Sequence, residues 1–270
     1  MYCAFYGFKE KPFNVTSDPS FFFSSKKHRE AIACLSYGIK ERKGIMTVTG
    51  EIGTGKTTLC RSLLRQLDKS VKTAVILNPY FSDVQLLELI VQDFGIKITK
   101  RSRLHIVNEL NAFLIRESAQ NNNAVIIIDE AQNLTVRQLE QIRLLSNLET
   151  DKEKLLQIIL IGQPELREKL NLHQLRQIKQ RVMVDYHIEP LDQDELTQYI
   201  RHRLSIATQS HSVKKLSFND TAVASIFAFS QGVPRLINLI CERALLLSFV
   251  QEKNTITETI IANCINDIKL

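Results

Sequence analysis

Gly50-Glu51-Ile52-Gly53-Thr54-Gly55-Lys56-Thr57-Thr58 fits the pattern G-x-x-x-x-G-K-S/T. That pattern is informative when it lies between a strand and a helix. Ile45-Met46-Thr47-Val48-Thr49 before it reads as a buried strand, and Leu59 to Leu67 after it carries apolar residues at helical spacing. Gly53 and Gly55 can take positive φ at little cost. The main-chain amides of the loop can then turn inward, at a helix N-terminus, onto phosphate oxygens. The whole stretch from Gly50 to Thr58 would cradle a nucleoside triphosphate. Lys56 would reach its β- and γ-phosphates, and the Thr57 hydroxyl would ligate Mg²⁺.

A second stretch completes the chemistry. Ala124-Val125-Ile126-Ile127-Ile128-Asp129-Glu130 is an apolar run that ends in two carboxylates. Five aliphatic residues in succession suit a central parallel strand covered on both faces. Nucleotide sites lie at the carboxyl ends of such strands. Asp129 would hold Mg²⁺ through its water shell, and Glu130 would orient or deprotonate an attacking water. Between Lys56 and Asp129 there is room for one further βα unit, a strand over 72–78 and a helix over 83–94. A helix over 104–118 then leads into the acid strand.

Five strands are predicted in all, at 45–49, 72–78, 124–128, 155–161 and 181–187, with helices between them. Strand–helix alternation predicts a parallel sheet. A helix over 28–39 precedes the first strand. Residues 1–26 hold Phe5, Tyr6, Phe8, Phe13 and Phe21-Phe22-Phe23, too many aromatic residues for a free tail, so they are expected as an ordered lead-in packed on the core. Beyond Glu189-Pro190-Leu191 the strand signal gives way to helical periodicity over 192–207, 219–230, 234–250 and 257–267. The predicted organisation is a lead-in (1–26), a phosphate-loop α/β domain (27–189) and a small helical lid (190–270).

Composition limits the remaining choices. The chain has 270 residues and a net charge of +6, and residues 1–70, with 12 Lys and Arg against 6 Asp and Glu, hold the whole excess. Lys97, Lys100, Arg101 and Arg103 form a further basic cluster, of the kind that meets nucleic acid or anionic lipid. No apolar run approaches the roughly 20 residues of a membrane span, and the N-terminus has no secretory pattern. The five cysteines are scattered, with no C-x-x-C pair, so the chain reads as cytoplasmic without a disulfide or zinc framework.

The motifs together resemble the AAA+ ATPases: a three-layer sandwich around a five-stranded parallel sheet, followed by a helical lid. More narrowly, the chain resembles the ATPase domain of the ExeA/GspA secretion family, which includes MshM-like pilus proteins. The matching phrases run in the family's order. They are Tyr6-Gly7-Phe8 with Lys11-Pro12-Phe13, Asp18-Pro19-Ser20-Phe21-Phe22, the phosphate loop, Ile128-Asp129-Glu130-Ala131-Gln132-Asn133-Leu134, Gly162-Gln163-Pro164-Glu165-Leu166, Gln180-Arg181-Val182 and Gly232-Val233-Pro234-Arg235-Leu236-Ile237-Asn238. The resemblance implies ATP and Mg²⁺ as cofactors, ATP hydrolysis, self-association into an oligomer or ring, and partners in secretion or pilus machinery. A cytoplasmic place, peripheral at the inner membrane face, follows from it. It further implies Gln163 as a first sensor of the γ-phosphate and Arg235 as a second sensor reaching from the lid. Arg181, with Arg176 as the alternative, would act on the neighbouring subunit's nucleotide. Pro12 and Phe13 would wall the adenine pocket, and Asn78 would restrain Glu130. Proteins of this family continue into a membrane span and a peptidoglycan-binding region, neither of which is carried over to a sequence ending at Leu270.

Transposition regulators of the TniB/TnsC type share the same phrases. An ATP-dependent assembly on DNA is therefore the alternative reading, with the basic N-terminal third or the Lys97–Arg103 loop as the contact. A nucleotide-gated scaffold is a weaker alternative, because the Asp129-Glu130 pair is intact.

Overall fold

The computed structural model describes residues 1–14, 18–208 and 216–268. The chain falls into two compact units. The first comprises Lys26–Glu51 and Leu59–Ile188. The second comprises Met1–Ser25, Ile52–Thr58 and Glu189–Leu270.

The first unit is built on five parallel strands. These are β1 (Ile45–Gly50), β2 (Val71–Ile76), β3 (Asn123–Ile128), β4 (Leu156–Gly162) and β5 (Val182–Ile188), in the spatial order β2-β3-β4-β1-β5. From β1 the chain crosses to the far edge at β2, returns step by step through β3 and β4, then passes over β1 to β5. Because every pairing is parallel, the carboxyl ends of β1, β3 and β4 share one edge of the sheet. Residue type follows position. The central strands β1, β3 and β4 are buried at every residue, whereas the edge strands β2 and β5 are buried at only some, as expected for a sheet covered on both faces.

Register shows both layers. Ile45 pairs with Ile158, and Ile126 also pairs with Ile158. Their side chains join one apolar core with Leu86, Leu87 and Ile90 of α4 (Asp83–Asp93) and Ile106, Leu110 and Leu114 of α5 (Arg103–Ala119). The alternate residues Met46, Val48, Val125, Ile127, Ile159 and Ile161 are also buried and face the other way. There α2 (Lys26–Lys40) covers β1 and β5. Local signals start the helices where the sequence places them. Ser82 and Gln85 form a reciprocal capping box on α4, and Thr135 and Gln138 form one on α6 (Val136–Leu145). The short α7 (Pro164–Leu170) and α8 (Arg176–Lys179) precede β5.

The second unit is helical. Its main elements are α9 (Gln193–Ala207), α10 (Asp220–Ser230), α11 (Pro234–Val250) and α12 (Glu258–Ile268). The Asp192 and Asn219 side chains cap the first two, accepting from the amides of Glu195 and Ala222 at 2.7 and 2.8 Å. The aromatic lead-in, including α1 (Tyr2–Tyr6), belongs to this unit. Tyr2, Tyr6, Phe8, Phe13 and Phe21 share one apolar core with Leu196, Ile237, Ile240, Leu245 and Ile261. Two strands absent from the sequence reading, β6 (Ser217–Phe218) and β7 (Thr255–Ile256), pair in parallel. Among the described residues, no helix is long and apolar enough to cross a membrane.

Candidate active site

The phosphate loop has the backbone its sequence demands. Gly53 and Gly55 sit at φ 84 and 94°, and α3 (Lys56–Gln66) starts at the lysine itself. Thr54 and Lys56 are buried, whereas Glu51 and Ile52 are exposed. The loop packs on the segment that carries Val233 and Arg235. The Arg235 amide donates to the Gly53 carbonyl at 3.3 Å, and a Cβ added to Gly53 would stand 2.6 Å from the Arg235 Cβ and 3.2 Å from Val233 Cγ1. A side chain at position 53 would therefore both strain the backbone and displace the arginine. The exposed Arg235 side chain thus starts beside the phosphate cradle.

The acid pair lies in the α/β unit. Asp129 follows β3 directly and is 2% exposed, its amide donating to the Ile76 carbonyl at 2.8 Å. Its Oδ1 accepts from the Glu130 amide at 2.9 Å. Cys60 of α3 lies close by. The Cys60 thiol is pushed up to about 12, by burial first and by the negative charge of Asp129 second. A thiol so placed stays protonated and serves as packing.

Glu130 takes the left-handed conformation, φ 53 and ψ 37°, which a residue with a Cβ adopts at a cost of about 1–2 kcal/mol. Its carboxylate is gripped by two amides. Gln132 Nε2 donates to Glu130 Oε2 at 2.6 Å, and Gln163 Nε2 donates to the same oxygen at 3.2 Å. Gln163 stands at the N-cap position of α7, and its main-chain N–H donates to Gln132 Oε1 at 3.1 Å. The Lys169 ammonium, on α7, donates to the carbonyls of Gln132 and Leu134, the latter at 2.8 Å. The structure therefore joins Glu130 to Gln163. It also adds Gln132, which lies in the phrase Ile128–Leu134 without a role assigned to it there, and Lys169, which lies in none of the quoted phrases. Asn78 does not restrain the glutamate. It stands exposed beyond the end of β2, and the partners of the Glu130 carboxylate are the two glutamines.

Pro12 and Phe13 pack inside the helical unit. Both are buried, Phe13 at 0% exposure with its ring edge-on to Phe218, and the Pro12 carbonyl is taken by Arg203. Apolar burial in the helical unit claims them first. Arg181 is also committed within its own unit. Its guanidinium donates to Ser146 Oγ at 3.3 Å, to Asn147 Oδ1 and to the Arg143 carbonyl at 3.5 Å. These groups close the C-terminal end of α6, where a cation is favoured by unpaired carbonyls and the helix dipole. Arg176, at the start of α8, is exposed.

The metal and nucleotide fit the residues present. A threonine hydroxyl and a buried carboxylate are hard oxygen donors, the set magnesium takes when phosphates and waters complete its shell. The amides of a glycine loop opening α3, with a buried lysine at its first turn, suit a polyphosphate.

A five-stranded parallel sheet in this order, a phosphate loop after β1 and an acid pair after β3 define a P-loop ATPase of the AAA+ class. Residues 39–170 match the family described as "AAA domain". It is 41% identical over 257 residues to the "General secretion pathway protein A" of Aeromonas hydrophila, an alignment that covers 95% of this chain and 46% of that protein. The chain thus spans about half the length of the curated relative it matches. Solved structures share the fold. The ORC2 protein of Aeropyrum pernix, in its ADPNP-ADP complexes, superposes with a TM-score of 0.68 at 14% identity, covering 96% of this chain and 72% of that one. The RuvB Holliday junction branch migration motor of Thermotoga maritima gives 0.57 at 16% identity, over 88% and 68%.

Proposed function

We propose that this chain binds ATP with Mg²⁺ and hydrolyses the bond between its β- and γ-phosphates, and that the cycle drives assembly of a secretion or pilus system. The observation that carries the chemistry is the Glu130 carboxylate, held by two amides one residue beyond the buried Asp129 at the carboxyl edge of the sheet. The main-chain amides of Gly50 to Thr58 and the Lys56 ammonium bind the phosphates, and Thr57 and Asp129 hold the magnesium ion. Bound there, Mg²⁺ neutralises charge on the β- and γ-oxygens. Glu130 orients a water and takes its proton as the water oxygen bonds to the γ-phosphorus. The bond from that phosphorus to the β–γ bridging oxygen breaks, and ADP leaves with the electron pair. Arg235 contributes charge from the helical lid (190–270), and an arginine of a neighbouring copy, Arg176 or Arg181, contributes it in trans. Turnover then depends on self-association.

The 41% identity to a general secretion pathway protein A supports the secretion role, and with it a proposed place in the cytoplasm, peripheral at the inner membrane face. Glu130→Gln is expected to keep ATP affinity and lose turnover by roughly 10²- to 10⁴-fold, and Lys56→Ala to lose the affinity itself. Turnover retained by the first variant, or affinity retained by the second, overturns the reading.

The exposed cluster Lys97, Lys100, Arg101 and Arg103 supports the second reading, a DNA-dependent regulator. ATPase activity measured with and without duplex DNA at two salt concentrations separates the two. Stimulation that fades with salt is the signature of phosphate contacts and would favour DNA over a secretion partner.

A further inference from the structure

Gln132 lies two residues past the base and, among the described residues, is the only side chain that ties it to the next strand's end through both of its polar atoms. Nε2 donates to Glu130 Oε2 at 2.6 Å, while Oε1 accepts from the Gln163 main-chain N–H at 3.1 Å. A main-chain N–H can only donate, so the Oε1 end must face Gln163 and the NH₂ end must face the carboxylate. Gln163 Nε2 brings its own donor to the same Oε2 at 3.2 Å. Both donors converge on one oxygen, and among the described residues Glu130 Oε1 accepts no hydrogen bond.

The surroundings leave this amide one place to be. A Cβ at Gly162 would stand 2.9 Å from Gln132 Oε1 and 3.0 Å from Leu166 Cδ2, so glycine at the end of β4 makes the room. Lys169 holds the Gln132 carbonyl from behind.

We propose that Gln132 is a positioning residue: it sets the rotation of the Glu130 carboxylate and leaves Oε1 as the oxygen that receives the water's proton. The role rests on Glu130 being the base. Without the bridge, the carboxylate can turn about its last bond, and the oxygen facing the water is no longer fixed. A misplacement of about 1 Å at a reacting group costs up to roughly 100-fold in rate.

The test uses the full chain with ATP and Mg²⁺. Gln132→Met keeps the side chain's length and removes both hydrogen bonds. It is expected to lower kcat by roughly 10- to 100-fold with KM and nucleotide affinity unchanged. Gly162→Ala displaces the same amide without altering any polar group and is expected to lower kcat in the same way. Added to Glu130→Gln, the Gln132→Met change should cost nothing further, because residues acting as one unit are not additive. If Glu130→Gln is inactive while Gln132→Met turns over within twofold of the parent, the positioning role is wrong and the base survives. A rise in KM with kcat unchanged, or a further loss in the double variant, overturns the role equally. If Glu130→Gln retains turnover, the base assignment fails and the positioning role fails with it.

Discussion

Arg203 and Pro12, 191 residues apart, are joined by a hydrogen bond of 2.5 Å from the guanidinium Nε to the proline carbonyl. The same guanidinium donates to the Asn14 carbonyl at 3.1 Å and to the Tyr199 hydroxyl at 3.0 Å, and it lies 4.8 Å from the Phe21 ring centroid. One buried cation thus fastens the aromatic lead-in to α9. Arg203→Met keeps the apolar stem but leaves two carbonyls and a hydroxyl short of a donor. Each such loss costs about 1–3 kcal/mol where the group stays dry. The variant is expected to lose about 2–4 kcal/mol in urea unfolding, and a loss below about 0.5 kcal/mol, the range of an ordinary surface change, would show that water replaces the guanidinium without penalty.

Gly232 and Gly95 have nearly the same left-handed backbone, φ 75 and 77°. They differ in space. A Cβ on Gly232 would stand 1.9 Å from the Leu191 carbonyl oxygen, whereas nothing lies within 4 Å of one on Gly95. Gly95→Ala should therefore cost only the conformational penalty, about 1–2 kcal/mol. Gly232→Ala must also push main chain from main chain, and should cost about 4 kcal/mol or more. Equal losses in the two variants would show that the Leu191 segment yields freely.

The two candidate trans-acting arginines should separate by assay. Arg181 spends its guanidinium on the end of α6, so Arg181→Ala is expected to lower thermal stability in the isolated chain. Arg176 is exposed, so Arg176→Ala should leave stability unchanged and remove roughly 10³-fold or more of turnover, the range of an arginine supplied by a neighbour. Mixing Arg176→Ala with Glu130→Gln chains should restore some activity, since each supplies what the other lacks. Absence of any rescue on mixing would count against Arg176.

Asp185 on β5 gives a pH signature. Burial raises its carboxyl, yet hydrogen bonds from Arg167 and from Thr47, with the charge of Arg167, outweigh it and hold the group below its ordinary value. Arg167 Nη2 donates at 2.8 Å and Thr47 Oγ1 at 2.7 Å. A depressed folded-state value means that the unfolded chain binds the proton first. The stabilisation is complete above the unfolded carboxylate's value of about 3.9 and is lost as pH falls through the lower folded value. Asp185→Asn should accordingly lose stability at pH 7 and show a shallower decline below about pH 4 in acid-titrated unfolding. Parallel curves for the two proteins would mean that the bonds contribute nothing net.

Much of this fold is legible in the residues themselves. The five strands and the long helices emerge within one or two residues of their sequence limits, because buried parallel strands need unbroken aliphatic runs and because Asp192, Asn219 and Pro234 mark helix starts. The two-residue strands at Ser217 and Thr255 carry no such run, since two residues show no period. Phe13 lies in the core of the helical unit for a different reason. Its phrase matches a family motif, but which core an aromatic residue enters is settled by tertiary packing. At the site, the loop and acid pair are defined by spacing along the chain. The Gln132 bridge depends on how the ends of two strands meet, and no spacing reveals it.

The left-handed backbone at Glu130 has an implication for engineering this enzyme. Glycine or asparagine would hold φ 53° with less strain, so a selection for heat resistance alone should favour replacing the glutamate proposed as the base. Robustness and turnover pull in opposite directions at this one position. Thermally hardened variants should therefore be screened for hydrolysis before they are trusted.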